Sequence, residues 1–309
     1  MLKSCSLQPL ILLTHNNKTH IMNTPTLPLT PETLATTASL FRVSPLTVYD
    51  PVSSDRAIAA EFAASRNIST AQLSGQKRLL PRDLFNGLRS LMSDFTKSMK
   101  AVSSPWEDGG MRIIKCEFIP EFIDTYTAFE SKWNKEIDAI IPQWDAVRDA
   151  SRALLGSAFE ESRFPSSFTV RRHLSLSLEF RPVPVAGDFR VDVPALAIRT
   201  LNEGFEVRLD QQKDSLRYEL LNVVDTIKRK MEAWTDGKSR FHETTLSNIL
   251  DAVSRIPKVM LEPDAVLIAA VEEARNSFSS ITAEDIRDCP DMRSTVASRA
   301  AAILESMKL

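Results

Sequence analysis

One stretch of the chain carries side chains whose types and spacing suit binding chemistry. These residues are Arg171, Arg172, His173, Arg181 and Arg190. Guanidinium groups donate paired hydrogen bonds to phosphate and carboxylate groups, so the cluster predicts contact with nucleic acid or with a partner protein. Glu179 lies within the same stretch and dilutes its positive charge. The alternative interpretation is an ordinary solvated surface without a binding role.

The sequence contains no recognisable catalytic or metal-binding pattern. Its histidines are His15, His20, His173 and His242, and none of them belongs to an HExxH motif or to an acidic cluster. The GxSxG, GxxxxGKS/T, GxGxxG and kinase motifs are also missing. The 40 acidic residues leave a pair of catalytic carboxylates as an alternative, although no pair is distinguished from the others. The sequence therefore favours a non-enzymatic protein without a cofactor or a metal.

Charge, cysteine content and hydrophobicity limit the expected partners and compartment of the protein. The 38 basic and 40 acidic residues leave a net charge of −2, so any binding to nucleic acid would have to be local. The cysteines, Cys5, Cys116 and Cys289, form no CxxC pair, which is typical of a reducing compartment such as the cytoplasm. No run approaches the roughly 20 apolar residues of a membrane-spanning helix, so we expect no membrane partner.

The first 30 residues predict an irregular or disordered leader. The apolar run Leu10–Leu13 resembles the core of a signal peptide, but it is shorter than the roughly 7 to 15 residues of such a core. Met22 opens a polar stretch that contains proline, and it is a second candidate for the first residue. We therefore expect no secretion.

The basic residues lie in a segment whose hydrophobic pattern changes from helical to alternating. Apolar side chains occupy even positions from Phe168 to Phe180, with Arg172 as the exception, which predicts a half-buried strand. In this interpretation Phe168 faces the core and is unavailable for stacking on a base. Residues 189–193 alternate again and predict the returning strand of a hairpin within residues 167–193.

The rest of the chain predicts helices, which makes the expected class mainly α with a small antiparallel sheet. A proline after Thr30 predicts a helix start that continues to about Arg42, and Ile58 and Phe62 predict one buried stripe on the next helix. The long helices are expected to pack antiparallel in an elongated body. The aromatic face of the helix from Pro120 is expected to pack against the helix 205–234, with a partner-binding groove as the alternative.

Proline and glycine positions suggest four segments. They comprise the leader 1–30, a helical segment 31–110, a helix and hairpin segment 111–194, and a helical segment 195–309. One continuous body is the alternative to separate segments, since 309 residues fit either arrangement.

Several short motifs together resemble a family of uncharacterised proteins encoded by bacteriophages and mobile elements. The motifs are Arg66-Asn67, Gly75-Gln76-Lys77-Arg78-Leu79-Leu80, the helix with Leu84 and Leu88, Glu117-Phe118-Ile119-Pro120, the helix with Trp133, Arg163-Phe164-Pro165 and Phe180-Arg181. The resemblance covers residues 60–185. It implies a gene that often lies near those of MoxR-type AAA+ ATPases and von Willebrand-type proteins. It implies no catalytic residue.

These features together predict a non-enzymatic interaction or adaptor protein. The resemblance implies that its partner is a MoxR-type AAA+ ATPase, and self-association is an alternative. A second hypothesis is a nucleic-acid-binding protein that uses the basic face of residues 168–181. The sequence identifies neither the biological process, nor the oligomeric state, nor a substrate.

Overall fold

The protein is described by a computed structural model over residues 29–69, 73, 75–185, 194–235 and 240–307. These residues form two compact units. The sheet unit runs from Ala38 to Pro182, and the helical unit contains the described residues from Val183 onward with the helix α1 (Pro31–Thr37). The expected class, mainly α with a small antiparallel sheet, is confirmed. The segment boundary predicted at residue 110 lies between two paired strands of the sheet unit.

All the strands among the described residues belong to the sheet unit. They are β1 (Ala38–Ser44), β2 (Val52–Ser54), β3 (Gln76–Arg78), β4 (Ser103–Glu107), β5 (Met111–Lys115) and β6 (Ser177–Arg181). Four of them form an antiparallel sheet in the order β4-β5-β1-β6, while β2 and β3 pair separately. The helix predicted to reach Arg42 ends at Thr37, because Leu40 and Phe41 are buried in a strand with neighbours on both sides.

Aromatic side chains fill the core of the sheet unit. Its helices are α2 (Arg56–Arg66), α3 (Asn86–Val102), α4 (Ile119–Ile140), α5 (Trp144–Leu155) and α6 (Ser167–Leu174). Phe129 of α4 stacks on Phe95 of α3 with ring centroids 4.2 Å apart, and Phe122 lies 4.5 Å from Phe41 of β1. The aromatic face of α4 is therefore buried as predicted. Its partners are α3 and β1, in place of the predicted helix 205–234.

Residues 167–174 form the helix α6, which corrects the first half of the predicted strand. The hydroxyl of Ser166 accepts a hydrogen bond from the Thr169 N–H at 3.1 Å and so caps the helix. Val170 and Leu174 are buried four residues apart, so the same apolar positions satisfy the helical period. The strand β6 begins only at Ser177 and pairs with β1. The predicted return strand 189–193 lies outside the described residues.

The helical unit is built around one long helix. Its helices beyond α1 are α7 (Ala195–Glu232), α8 (Glu243–Val259), α9 (Ala265–Phe278), α10 (Ala283–Asp288) and α11 (Pro290–Ser306). Helix α7 packs against α8 and α11, and α9 packs against the same two helices. Leu220, Ile249, Phe278 and Val296 are fully buried in the shared core.

The carboxylate of Asp264 makes the stability of the helical unit depend on pH. One oxygen accepts from the N–H groups of Val266 and Leu267 at 3.1 Å, and the other pairs with Arg217 at 2.6 Å. Burial acts to raise the pKa of Asp264, but the bonds from Arg217 and the backbone outweigh it and hold this pKa below its usual range. The stabilisation is therefore present above the unfolded-state pKa and is lost as pH falls through the folded-state pKa.

We expect the variant Asp264→Asn to lose this acid sensitivity. Its urea midpoint should be lower than that of the wild type at pH 7, because the charged cap and ion pair are gone, and the gap should be smaller at pH 3, where the stabilisation of the wild type is being lost. Asp288→Asn, an exposed carboxylate of the same unit, serves as the control. An equal gap at both pH values would contradict the prediction.

Candidate functional site

The predicted binding residues on α6 all reach solvent. Arg171, Arg172 and His173 occupy its last turn and are exposed. The Arg171 guanidinium pairs with Asp138 of α4 at 2.7 Å, whereas Arg172 makes no ion pair with another described residue. Arg172 was expected on the apolar face of a strand, and the helix explains why it is instead exposed.

Arg181 belongs to a different environment. It pairs within β6 with Glu179 at 2.6 Å, and the same carboxylate pairs with Arg42 of β1 at 2.8 Å. The hydrogen bond from Arg181 holds the pKa of Glu179 below its usual range, so this carboxylate stays charged and offsets part of the charge of the two arginines. Arg190 lies outside the described residues. The structure thus brings together three of the five predicted residues.

Phe168 is exposed, whereas the sequence interpretation placed it in the core. It is 72% exposed, one helical turn before Arg172. On the flank of the helix, the His173 ring stacks on Tyr49 with centroids 4.4 Å apart and planes 9° from parallel. We call Phe168, Arg171, Arg172 and His173 the α6 surface.

A second surface was missed by sequence reasoning. The helix predicted around residues 54–66 is present as α2, but the stripe expected to be buried is not: Ile58 is 41% and Phe62 is 50% exposed. Only Ala63 of this helix is buried. The available signal was composition, because an alanine-rich helix with two large apolar residues has little to contribute to a core. We call Ile58 and Phe62 the α2 face.

Lys77 of β3 links the residue that caps the start of α2 to other residues of the sheet unit. Its side chain is almost fully buried, and its ammonium group donates to the carbonyl of Ala158 at 2.6 Å and to Glu160 at 2.7 Å. The third acceptor is Asp55 at 3.1 Å, which also caps the first turn of α2. The bond with Glu160 raises the pKa of Lys77, and the bond from Lys77 lowers the pKa of Asp55, so the cluster is fully charged near neutral pH.

Close backbone packing completes this attachment. A Cβ atom on Gly75 would lie 2.4 Å from the carbonyl oxygen of Asp55, so only glycine fits against the first turn of α2. Arg163 donates to the hydroxyl of Ser53 in β2 at 2.8 Å and pairs with Glu160 at 2.7 Å. Helix α2 is therefore held by polar bonds and small residues, and its large apolar side chains are left exposed.

Other kinds of site are not evident in the part of the chain that the structure describes. No group of three or more histidine, cysteine or acidic residues is placed there to hold a metal ion. None of the helices there is both long enough and apolar enough to cross a membrane. Neither a protein-family model, nor a curated protein, nor a solved structure matches the chain. Functional inference therefore rests on the α2 face and the α6 surface.

Proposed function

We propose that the protein is a non-enzymatic adaptor that binds another protein through the α2 face. The observation that carries the proposal is the exposure of Ile58 and Phe62, which are four residues apart on one helix. Large apolar side chains at this spacing are typical anchors of helix-mediated protein interfaces. A partner would bury the side chains that the sheet unit itself leaves in water.

The expected contribution of the α2 face to binding is moderate. Full burial of one such side chain contributes roughly 1.5 to 3 kcal/mol. Both anchors are about half exposed, so covering the two together contributes about 2 kcal/mol. This energy corresponds to about thirtyfold in affinity. The face can therefore anchor an interface, and polar contacts around it would supply the rest.

Charge favours an acidic partner over a second copy of the chain. Helix α2 carries Arg56 and Arg66 against one exposed carboxylate, Glu61, so its charge is positive. Neither arginine forms an ion pair with another described residue, and Arg66 extends over the Phe62 ring at 5.9 Å. In a two-fold symmetric dimer the same surface meets itself, which would bring these cations together. A partner segment with apolar side chains and flanking carboxylates is complementary to this rim.

A MoxR-type AAA+ ATPase is the first partner to test, because the resemblance to phage and mobile-element proteins implies it. In this proposal the protein acts in the cytoplasm of a bacterial cell, where it presents substrates or accessory proteins to the ATPase. The support for this choice is the resemblance over residues 60–185. That range contains Gly75, Lys77 and Arg163, which hold α2 in position.

The proposal predicts that a double variant, Ile58→Ser with Phe62→Ser, loses partner binding. We expect its affinity for a purified MoxR-type ATPase from the same genome to fall at least tenfold in isothermal titration calorimetry. The fold should persist, because both side chains are already exposed. A melting temperature equal to that of the wild type, measured by circular dichroism, would verify this.

Phe168→Ser is the matched control, since it also removes an exposed aromatic side chain from the sheet unit. It should bind the ATPase like the wild type. Equal affinities for the wild type and the double variant would contradict the role of the α2 face. No binding by the wild type would exclude this ATPase as the partner. Concentration-dependent dimerisation lost in the double variant would instead assign the face to self-association.

A further inference from the structure

The α6 surface combines an exposed aromatic ring with unneutralised positive charge. Phe168 and Arg172 are four residues apart and therefore lie on one side of the helix, while Val170 and Leu174 are buried on the other. The Trp133 indole donates to the Leu174 carbonyl at 2.7 Å and fixes the end of α6. The ring and the guanidinium are thus presented by a rigid element.

His173 links the flank of α6 to the segment around Tyr49. At about 100° per residue, His173 follows Arg172 around the axis, and its ring stacks on Tyr49. The segment that precedes Tyr49 lines a groove of about 510 Å³ together with α3. Its charged lining residues are Arg89, Lys97, Lys100 and Asp50. Arg89 pairs with Asp50 at 3.7 Å and Lys97 pairs with Asp94 at 3.9 Å, so the groove retains a small excess of positive charge.

We propose that the α6 surface and this groove bind single-stranded nucleic acid. A base would stack on Phe168, and phosphates would pair with Arg172 and with the cations of the groove. Base stacking on an aromatic side chain is available to any unpaired base, whereas bases in a duplex are already stacked on each other. The proposal uses a different surface from the α2 face, so either can fail without the other.

The expected interaction is weak and sensitive to salt. Few phosphates are contacted, and Asp50 and Asp138 reduce the local positive charge. With about three phosphates neutralised, affinity for a single strand should fall roughly tenfold to twentyfold between 50 and 200 mM salt. A dissociation constant in the range of about 1 to 100 μM is typical of such non-specific binding.

Fluorescence anisotropy with a labelled 20-nucleotide oligothymidine tests the proposal on the full chain. We expect Phe168→Ala to weaken binding at least fivefold without changing the salt dependence. Arg172→Gln should weaken binding and reduce the slope of log affinity against log salt by about 0.7. A 20-base-pair duplex should bind more weakly than the single strand.

Two variants show whether the effect is local. Arg152→Gln removes a cation of α5 that pairs with Asp149 and Glu161, and it should leave binding unchanged. The double variant Ile58→Ser with Phe62→Ser should also retain it. Each of three results would overturn the proposal. The wild type would fail to bind at 50 mM salt, Arg152→Gln and Arg172→Gln would lose equal affinity, or the duplex would bind as tightly as the single strand.

Discussion

Trp133→Ala should lower the free energy of unfolding of the sheet unit by about 3 to 5 kcal/mol. Its side chain is fully buried in the aromatic core, with Phe129 as a ring neighbour at 5.5 Å. The substitution leaves a cavity and also removes the indole hydrogen bond to Leu174, so the end of α6 loses its anchor. Urea denaturation followed by circular dichroism measures the loss.

Phe168→Ala is the control for this prediction. It also truncates an aromatic side chain of the sheet unit, yet the ring is mostly exposed, so the change should cost less than about 0.5 kcal/mol. The pair of variants distinguishes the helix α6 from the strand that the sequence predicts, because the strand would bury Phe168. A loss at position 168 as large as that at position 133 would contradict the helix.

Arg293→Ala should have the second largest effect, a loss of about 2 to 4 kcal/mol in the helical unit. The guanidinium is buried, donates to the carbonyls of Ile286 and Arg287 at 3.0 and 2.9 Å, and lies 4.8 Å from the centre of the Trp234 ring. It therefore connects α11 with the last turn of α10 and with the residues that follow α7. Its removal leaves two carbonyl groups of α10 without this charged donor.

The side chain of Arg287 provides a matched control for Arg293. It is exposed, so Arg287→Ala should change the free energy of unfolding by less than about 0.5 kcal/mol. Arg293→Lys should recover only part of the stability, because an ammonium group cannot reproduce the planar contact with Trp234. Similar midpoints for the two alanine variants in urea denaturation would show that Arg293 does not connect these helices.

The long helices could be predicted from the sequence because their burial pattern is local. In α4, Phe122, Phe129 and Trp133 recur at helical spacing and are all buried. In α7, Leu216 and Leu220 do the same. Such stripes are long enough that one face must be buried, whichever element covers it. The neighbour of the α4 face was nevertheless predicted incorrectly, because a pattern of buried residues does not identify the element that covers them.

The strand β1 and the helix α6 could not be predicted because non-local contacts decide them. Strand β1 is short and follows a clear helix start, and it becomes a strand through pairing with β5 and β6, which lie far along the chain. Around α6, Val170 and Leu174 fit both the alternating and the helical period. The cap by Ser166 favours the helix, whereas the longer alternating run in the sequence favours a strand.

The candidate surfaces differ in how far sequence reasoning could reach them. The cations of the α6 surface were predicted from residue type alone. That Phe168 is exposed beside them follows from the helix α6, which the sequence pattern did not predict. The α2 face was assigned to the core, because periodicity indicates an apolar side and not whether another element covers it. Lys77 and Gly75 hold the helix at its first turn through polar and backbone contacts, which leave Ile58 and Phe62 exposed.

Site-specific photo-crosslinking tests most directly the central claim that the α2 face docks a partner protein. A photoreactive phenylalanine analogue would replace Phe62 in one variant and Phe168 in another, and both would be irradiated with purified MoxR-type ATPase. The account predicts a single crosslinked product from position 62, none from position 168, and loss of the product when Ile58 is also changed to aspartate. Equal crosslinking from the two positions, or a product from position 168 alone, would contradict it.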